Sequence, residues 1–498
     1  VARFTPRDVV RTPRYFTPRR VRIMKRAAII LGIGLPLLTG LSLGGYEFFL
    51  RWQAGQAAKD RVPASYFNNI VTNRQRGEPS DANAYTFIVQ LETQRLAADR
   101  SLNTKFPPPT VDGRTVDWGD ISSVYYGFDA GYVPTPYDLA TQRRGIQQFG
   151  EYELSPLRGT LDAIADARNA QRFIDYLPQD PAVGVLLPEL GQMRHMTRYC
   201  AARMHVARQA GDMREWLRAF RASLALARAA SMQTSGIEYL VACAIDNVTL
   251  QQLVELLQSH PDAQTLDAIE TILAEQHVRS LMDNLDGMQA CDRDLVAWIF
   301  ADASRVRWGR LSAPVLMTVG LNQQQAAQFR LGTYRENRDE IDATYSRLTA
   351  LLKQPAHAQL QASFTSELIL PQIMLTPTAP RYLQAESSRQ ALRDAITIML
   401  ALERHYLATG AYPASLDELT PGYLASIPID SWSPAGAPLR YLKVDPAQDL
   451  QCREYLVYSV GADGTDNAGV MPPGYPDLSI LITPQSRPVD FVFNHRRL

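Results

Sequence analysis

The sequence has little of what metal sites and disulfide frameworks need. Its 498 residues include four cysteines and seven histidines, and no two cysteines form a CxxC or CxxCH motif. Zinc ribbons, thioredoxin-like redox sites and covalent haem attachment therefore lack their motifs. Cys200 and Cys243 fall on neighbouring predicted helices and form the favoured disulfide. The alternative is that all four cysteines are buried small apolar groups.

The chain also lacks an excess of charge of either sign, since 51 lysines and arginines balance 51 aspartates and glutamates. A balanced chain has no overall attraction to polyanions, so we expect no nucleic-acid partner. The length is enough for two to four domains.

The motifs of common catalytic sites are missing as well. HExxH and P-loop patterns are absent, and the histidines are scattered. The close acid pairs Asp283 with Asp286 and Asp292 with Asp294 are predicted to lie on solvated helix faces. We therefore predict that the chain is not an enzyme and holds no catalytic cofactor.

What the sequence does have is one long apolar run near its beginning. Residues 27–46 contain no charge, and a helix of that length spans roughly 30 Å, the thickness of a bilayer core. We predict a transmembrane helix over residues 27–50. The alternatives are a signal peptide beginning near Met24 and a buried helix of a soluble protein.

The flanks of this run predict its orientation. Residues 1–26 carry nine lysines and arginines against one acid, Asp8, and positive flanks stay in the cytoplasm. Aromatic residues suited to a membrane interface follow the run: Tyr46, Phe48, Phe49 and Trp52. We expect a bacterial cytoplasmic membrane, with residues 1–26 as a cytoplasmic tail and the bulk of the chain in the periplasm.

The basic tail contains candidate partner-binding residues. Anionic lipid could attract it, and its aromatic residues favour a protein partner. The candidates are Phe4, Arg7, Arg11, Arg14, Tyr15, Phe16, Arg19 and Arg20.

Residues 51–154 are predicted to begin with a helix and to continue as a long irregular segment rich in proline and tyrosine. Loops of this length commonly bind something. Tyr125, Tyr126 and Tyr132 are the candidate partner contacts here, with ordinary packing as the alternative.

Residues 155–370 have the leucine and alanine spacing of successive helices. Helices are predicted over residues 190–210, 213–230 and 237–257, with Gly211-Asp212 as a turn. These segments resemble the helix-turn-helix units of tetratricopeptide-type repeats over about one and a half units. The pattern predicts an antiparallel helical array, followed by a proline-rich linker at residues 371–380.

The last segment, residues 381–498, begins with a predicted helix at 385–409 and continues with short strand-like stretches. It resembles the globular domain of type II secretion major pseudopilins over roughly 95 residues. The matching positions are Tyr406, Gly410, Tyr412, Pro413, Leu416, Leu419, Pro428, Asp430, Trp432, Pro438, Tyr441 and the stretch 459–464, with Asp477 downstream. The resemblance implies a helix packed on a small antiparallel sheet.

In that family the last loop binds calcium, which prefers six to eight oxygen ligands. The resemblance therefore implies a structural calcium site. Its candidate ligands are Ser459, Asp463, Asp466, Asn467 and Asp477. The alternative is that the glycines of this loop make turns and the acids cap them.

The chain also departs from the family. More than 300 residues separate the apolar run from the C-terminal segment, and the family's usual start of the apolar helix is missing. Pilus assembly is therefore not implied.

We predict a mainly α protein with a small α+β C-terminal lobe that acts as a non-catalytic, single-pass subunit of a larger membrane complex, respiratory or photosynthetic complexes being examples. Its expected partners are other membrane subunits and the bilayer. The alternatives are a component of a type II secretion or pilus-like machine and an envelope enzyme.

Overall fold

The chain folds mainly into helices, with one small antiparallel sheet near its end. The structure is a computed structural model. It describes residues 35–74, 83–91, 155–167, 187–307, 310–318, 321–470 and 490–495, together with 94, 104, 107, 110–111, 114–115, 147 and 181. The mainly helical prediction is confirmed, as is a small strand-containing C-terminal part.

The helices are numbered in chain order, and residues 84–91 are also helical. They are α1 Leu35–Lys59, α2 Ala64–Arg74, α3 Ser155–Asp166, α4 Pro188–Ala210, α5 Met213–Ser231, α6 Gly236–Leu257, α7 Ala263–Glu275, α8 Leu285–Phe300, α9 Ala313–Thr318, α10 Gln323–Ala326, α11 Tyr334–Leu351, α12 Ala356–Leu360, α13 Ile369–Met374 and α14 Ala379–Thr409. Short 3₁₀ turns occupy Met282–Asn284, Leu416–Leu419 and Gly461–Asp463.

The strands are short and antiparallel. Two hairpins pair β1 Thr110–Val111 with β2 Arg114–Thr115, and β3 Val306–Arg307 with β4 Arg310–Leu311. The C-terminal sheet has the order β5 Arg440–Lys443, β6 Tyr455–Ser459, β7 Phe491–Val492. Tyr441 is opposite Val457, and Tyr458 is opposite Val492.

The helix boundaries predicted for α4 to α6 are confirmed to within two residues. Gly211 ends α4 with φ +71°, a left-handed conformation that glycine adopts without strain. The Asp212 side chain accepts from the backbone N–H of Glu215 at 3.1 Å and so starts α5. Ser235 and Glu238 form a capping box at the start of α6. Local sequence thus determines where these three helices begin and end.

Two hydrophobic cores share a pair of long helices, α6 and α14. The first core joins α3 to α7 with the C-terminal sheet and contains Trp216, Trp432 and Val457. The second core joins α8, α11 and α13. Both long helices contribute to both cores, as Leu392 in the first and Tyr382 in the second illustrate for α14.

The segment predicted as a linker, residues 371–380, contains the end of α13 and the start of α14. Pro371 and Pro380 lie in first helical turns, where the missing N–H costs no hydrogen bond, and Pro377 lies in the turn between the two helices. Pro371, Leu375 and Ala379 are buried. α14 therefore begins six residues before the predicted start at Ala385 and extends into the second core.

One described helix, α6, is long and apolar enough to cross a membrane, and 67% of its apolar window is buried inside the protein. It packs against α4, α5 and α14, and its Asp246 is fully buried against arginines of α14. These contacts account for its apolar character as that of a core helix. Of the predicted transmembrane segment 27–50, the described part belongs to α1, and residues 27–34 lie outside the described residues.

The favoured disulfide is wrong, because all four cysteines are free. Cys200 belongs to the first core and Cys243 to the second. Burial raises the pKa of each thiol to about 12, as expected for small apolar groups. Cys291 is buried too, whereas Cys452 is exposed, so the alternative is correct for three of the four.

Candidate functional site

The candidate site is the α1 joint, where the end of α1 packs against the rest of the protein, which we call the body. α1 continues without a break from the apolar run to Lys59. Leu50, Gln53 and Ala57 recur at helical spacing and are buried against the body. Ala57 belongs to the second core, so the end of α1 is part of the folded protein.

Polar contacts secure this face of α1. The Gln53 side-chain oxygen accepts the backbone N–H of Tyr334 at 2.8 Å. This N–H belongs to the first residue of α11 and has no partner within its own helix. The Tyr334 hydroxyl in turn donates to Asp60 at 2.7 Å, and the Arg338 guanidinium lies 3.3 Å from the same carboxylate oxygen.

A buried carboxylate forms hydrogen bonds with the chain just beyond the end of α1. One oxygen of Asp294 accepts from Arg61 Nε at 2.7 Å and from the backbone N–H of Val62 at 2.8 Å. Asp294 is fully buried. The prediction that it lies on a solvated face is wrong, because the arginine and the backbone N–H replace its water.

The opposite face of α1 is aromatic and uncovered in the described structure. Phe48 and Trp52 are 73% and 55% exposed, and Phe49 is 40% exposed. The rings of Phe49 and Trp52 stack at 6.2 Å. These three, predicted with the half-buried Tyr46 as an interfacial belt, are defined here as the aromatic face of α1. A cluster this exposed is typical of a surface that contacts lipid or protein.

The neighbouring acid Asp292 is also not solvated as predicted. It accepts the Tyr345 hydroxyl at 2.7 Å across the α8–α11 contact. Burial raises the pKa of its carboxyl to about 7. Asp283 and Asp286 are exposed, as predicted.

A second polar cluster, missed by sequence reasoning, joins α14 to the C-terminal sheet and the α6–α7 turn. Glu403 is fully buried and accepts the hydroxyls of Tyr412 at 2.7 Å and Tyr455 at 3.3 Å. His260 lies between two acids, its Nδ1 3.3 Å from Glu403 and its Nε2 3.1 Å from Glu454.

Burial raises the pKa of Glu403, and the Tyr412 hydrogen bond opposes that effect. Because the two acids meet opposite nitrogens of the His260 ring, they do not converge on a point where one ion could bind. The ring also stacks on Tyr406 at 4.6 Å. The cluster therefore stabilises the contact between α14, the C-terminal sheet and the α6–α7 turn. Its one sequence signal is the Tyr406–Tyr412 pair at the end of α14.

The predicted calcium ligands are engaged with protein groups. Ser459 donates to Asp430 at 2.8 Å, outside the loop itself. Asp466 pairs with Arg440 at 2.9 Å, and Asp463 accepts the backbone N–H of Thr465 at 2.9 Å.

The side-chain amide of Asn467 donates to Asp463 at 3.3 Å, and Asp477 lies outside the described residues. The loop backbone is held by Asp490, which sequence reasoning did not select: it accepts from the N–H groups of Asn467 and Gly469 at 3.0 and 2.7 Å. Within the described ranges, no group of three or more His, Cys, Asp or Glu side chains could hold a metal ion. Calcium binding stays a prediction.

The remaining predicted partner contacts belong to the basic tail and to the tyrosine-rich segment. The tail residues Phe4, Arg7, Arg11, Arg14, Tyr15, Phe16, Arg19 and Arg20, and the tyrosines Tyr125, Tyr126 and Tyr132, lie outside the described residues.

No protein-family model matches the chain, and no characterised protein or solved structure matches it either. Its function must therefore be inferred from its own residues. The proposed function is inferred mainly from the α1 joint.

Proposed function

We propose that this chain is a non-catalytic, single-pass subunit that docks on a larger bacterial membrane complex and stabilises it from the periplasmic side. One observation carries the proposal. The helix that continues the uncharged run does not end in a flexible tether, since Gln53 in its last turns and Asp60 and Arg61 directly after it bond to the body. A bilayer-spanning α1 would therefore hold the body at a fixed angle to the membrane.

The two faces of α1 support this role. Leu50, Gln53 and Ala57 face the body, which leaves the aromatic face free for the headgroup region or a neighbouring subunit. Aromatic residues are enriched where membrane proteins meet water and where protein interfaces are most buried. The nine cations of residues 1–26 favour a cytoplasmic start for the chain.

The C-terminal lobe supports a structural role. A 31-residue helix followed by three short antiparallel strands is what a pseudopilin-like module would provide. Here the sheet shares one core with α3 to α7, an arrangement suited to a fixed lobe more than to a filament subunit. A component of a secretion or pilus-like machine is the second candidate, favoured by the helix-and-sheet succession alone.

The test is native electrophoresis of membranes solubilised in a mild detergent. We expect the chain to resist alkaline extraction and to migrate in an assembly much larger than its 55.6 kDa. The triple variant Phe48→Ser, Phe49→Ser, Trp52→Ser should remain in the membrane but leave the assembly. The control Leu450→Ser changes a residue that is 97% exposed elsewhere and should have no effect. A chain that migrates alone, or an assembly unchanged by the triple variant, would contradict the proposal.

A further inference from the structure

A cavity of about 560 Å³ lies beside the α1 joint, between the β3–β4 hairpin, α9, α10 and α13. This volume is within the range of small-molecule sites. Its lining residues are Arg310, Leu311, Leu316, Gln323, Gln324, Ala326, Ala327, Phe329, Leu331 and Ile369. We call it the α9–α10 cavity.

The lining of the cavity combines apolar side chains with one arginine and two glutamines, Gln323 and Gln324. Leu316, Leu331 and Ile369 are buried members of the second core. Arg310 is exposed and is the one ionisable residue among the described residues of the lining. Such a site suits a molecule with a long apolar part and a single anionic group. Nucleotides and metal ions need more polar groups than this lining offers.

The Arg310 guanidinium is available for an anion. In the part of the chain that the structure describes, no carboxylate pairs with it, whereas the nearby Arg330 is paired with Glu336 at 2.8 Å. Arg305 is also engaged, since it lies over the Trp298 ring at 3.9 Å. Arginine without a carboxylate partner is well suited to phosphate, which it binds through two parallel hydrogen bonds.

The cavity lies close to where α1 would leave the membrane. Leu331 lines it, and three residues span at most about 11 Å, so the cavity wall is near Tyr334. The N–H of Tyr334 bonds to Gln53, the residue after the interfacial Trp52. α9 also presents Met317 to solvent with 82% exposure. An apolar side chain so exposed, next in the chain to the lining residue Leu316, fits a setting at the acyl boundary of a bilayer.

From this geometry we infer that the α9–α10 cavity binds one anionic phospholipid of the periplasmic leaflet, with an acyl chain on Leu316, Leu331 and Ile369 and the phosphate on Arg310. The inference depends on the proposed membrane anchoring by α1. It adds a second attachment of the body to the bilayer. Bound lipid would hold α9 and α10 at the membrane surface, beside the end of α1.

The test uses the full chain in lipid nanodiscs that contain phosphatidylglycerol with a photoactivatable diazirine on its acyl chain. After irradiation, mass spectrometry should find the label on residues 310–331. Arg310→Gln should raise the lipid mole fraction for half-maximal labelling about tenfold, the loss expected for one charge-assisted hydrogen bond. Ala327→Trp fills the cavity from an exposed position, so it should fold normally and abolish labelling there.

Two controls make the outcome decisive. Arg335→Gln removes an arginine that is 83% exposed on α11, outside the lining, and should leave labelling unchanged. The same diazirine on phosphatidylcholine should label less well. Equal labelling of Ala327→Trp and the natural chain, or of both lipids, would overturn the lipid site while leaving the proposed function intact. Failure of the natural chain to enter nanodiscs would overturn both.

Discussion

The N-terminal helix and the C-terminal lobe are both fixed to the helical body, but by different physical means. The lobe shares a continuous apolar core with α3 to α7, and Trp432 and Val457 lie inside it. α1 contributes little apolar area, Leu50 and Ala57 being its buried hydrophobic residues in the described structure. It is held mainly by hydrogen bonds and ion pairs through Gln53, Asp60 and Arg61.

The difference indicates which of the two parts can be destabilised by a mutation without destabilising the body. Burial of apolar area is non-directional and cooperative, so the lobe and the array should unfold together. A joint made of a few directed polar contacts fixes an angle at a modest cost in stability. The lobe is therefore part of the body, whereas α1 is an attachment whose geometry depends on single residues.

The largest expected effect concerns α6 and α14, the helix pair that contributes to both cores. Both oxygens of Asp246 on α6 accept from Arg393 of α14, at 2.7 and 3.0 Å, and Arg389 is 4.0 Å away. Arg389 is 3% exposed. Asp246→Ala would leave Arg393 without its carboxylate and would leave the buried Arg389 with Glu386, at 2.7 Å, as its remaining carboxylate partner. We expect the free energy of unfolding to fall by about 3–5 kcal/mol.

Thermal unfolding can be followed by fluorescence in two variants that each keep a single tryptophan, either the buried Trp216 in the array or the buried Trp432 in the lobe. Both transitions should move down together. Asp267→Ala is the matched control, because Asp267 also pairs with an α14 arginine but is 69% exposed, and it should cost about 0.5 kcal/mol or less. Separate transitions for array and lobe would contradict the shared core.

The helices of the array could be predicted from the sequence, and the buried acids could not. Gly211, Asp212 and Ser235 are local signals, because a cap or turn needs only its own neighbours along the chain. Asp246 and Arg393 are 147 residues apart. An aspartate on a helix has the same local pattern whether water or a distant arginine satisfies it.

The same reason explains the wrong expectations for Asp292 and Asp294. Their spacing is that of an exposed face. Packing against α11 leaves Asp292 half-buried, and packing against the end of α1 makes Asp294 fully buried. The proline-rich segment at 371–380 was predicted as a boundary because proline breaks helices. That rule does not hold in a first turn, where Pro371 and Pro380 lie.

The second prediction sharpens the contrast at the α1 joint. Asp294→Ala would leave Arg61 and the N–H of Val62 without their acceptor. We expect the free energy of local opening to fall by about 2 kcal/mol, which makes amide exchange at residues 60–74 about thirtyfold faster. The unfolding of the lobe, reported by Trp432, should change little.

Hydrogen exchange measured by mass spectrometry on the full chain in detergent checks this. Asp286→Ala on the same helix α8 is the control, since Asp286 is exposed, and it should leave exchange at residues 60–74 unchanged. Faster exchange throughout the C-terminal lobe in the Asp294 variant would show that α1 and the lobe are not independent attachments.

The smallest effect should be a pH dependence near the α1 joint. Burial raises the pKa of Asp292 from 3.8 to about 7, so between these values the folded state holds more protons than the unfolded state. By linkage, this group's contribution is most favourable at low pH and is lost as the pH rises towards 7. Asp292→Asn keeps an acceptor for the Tyr345 hydroxyl without the buried charge. We expect it to match the natural chain at pH 4 and to be more stable by about 1 kcal/mol at pH 8.

Other buried acids affect both chains equally, so the difference between the melting temperatures of the two chains isolates Asp292. The control Asp283→Asn, at an exposed site, should show no such trend. A difference that is constant with pH would mean that Asp292 ionises as a solvated acid does, and the α8–α11 contact would then be as open to water as the sequence alone suggests.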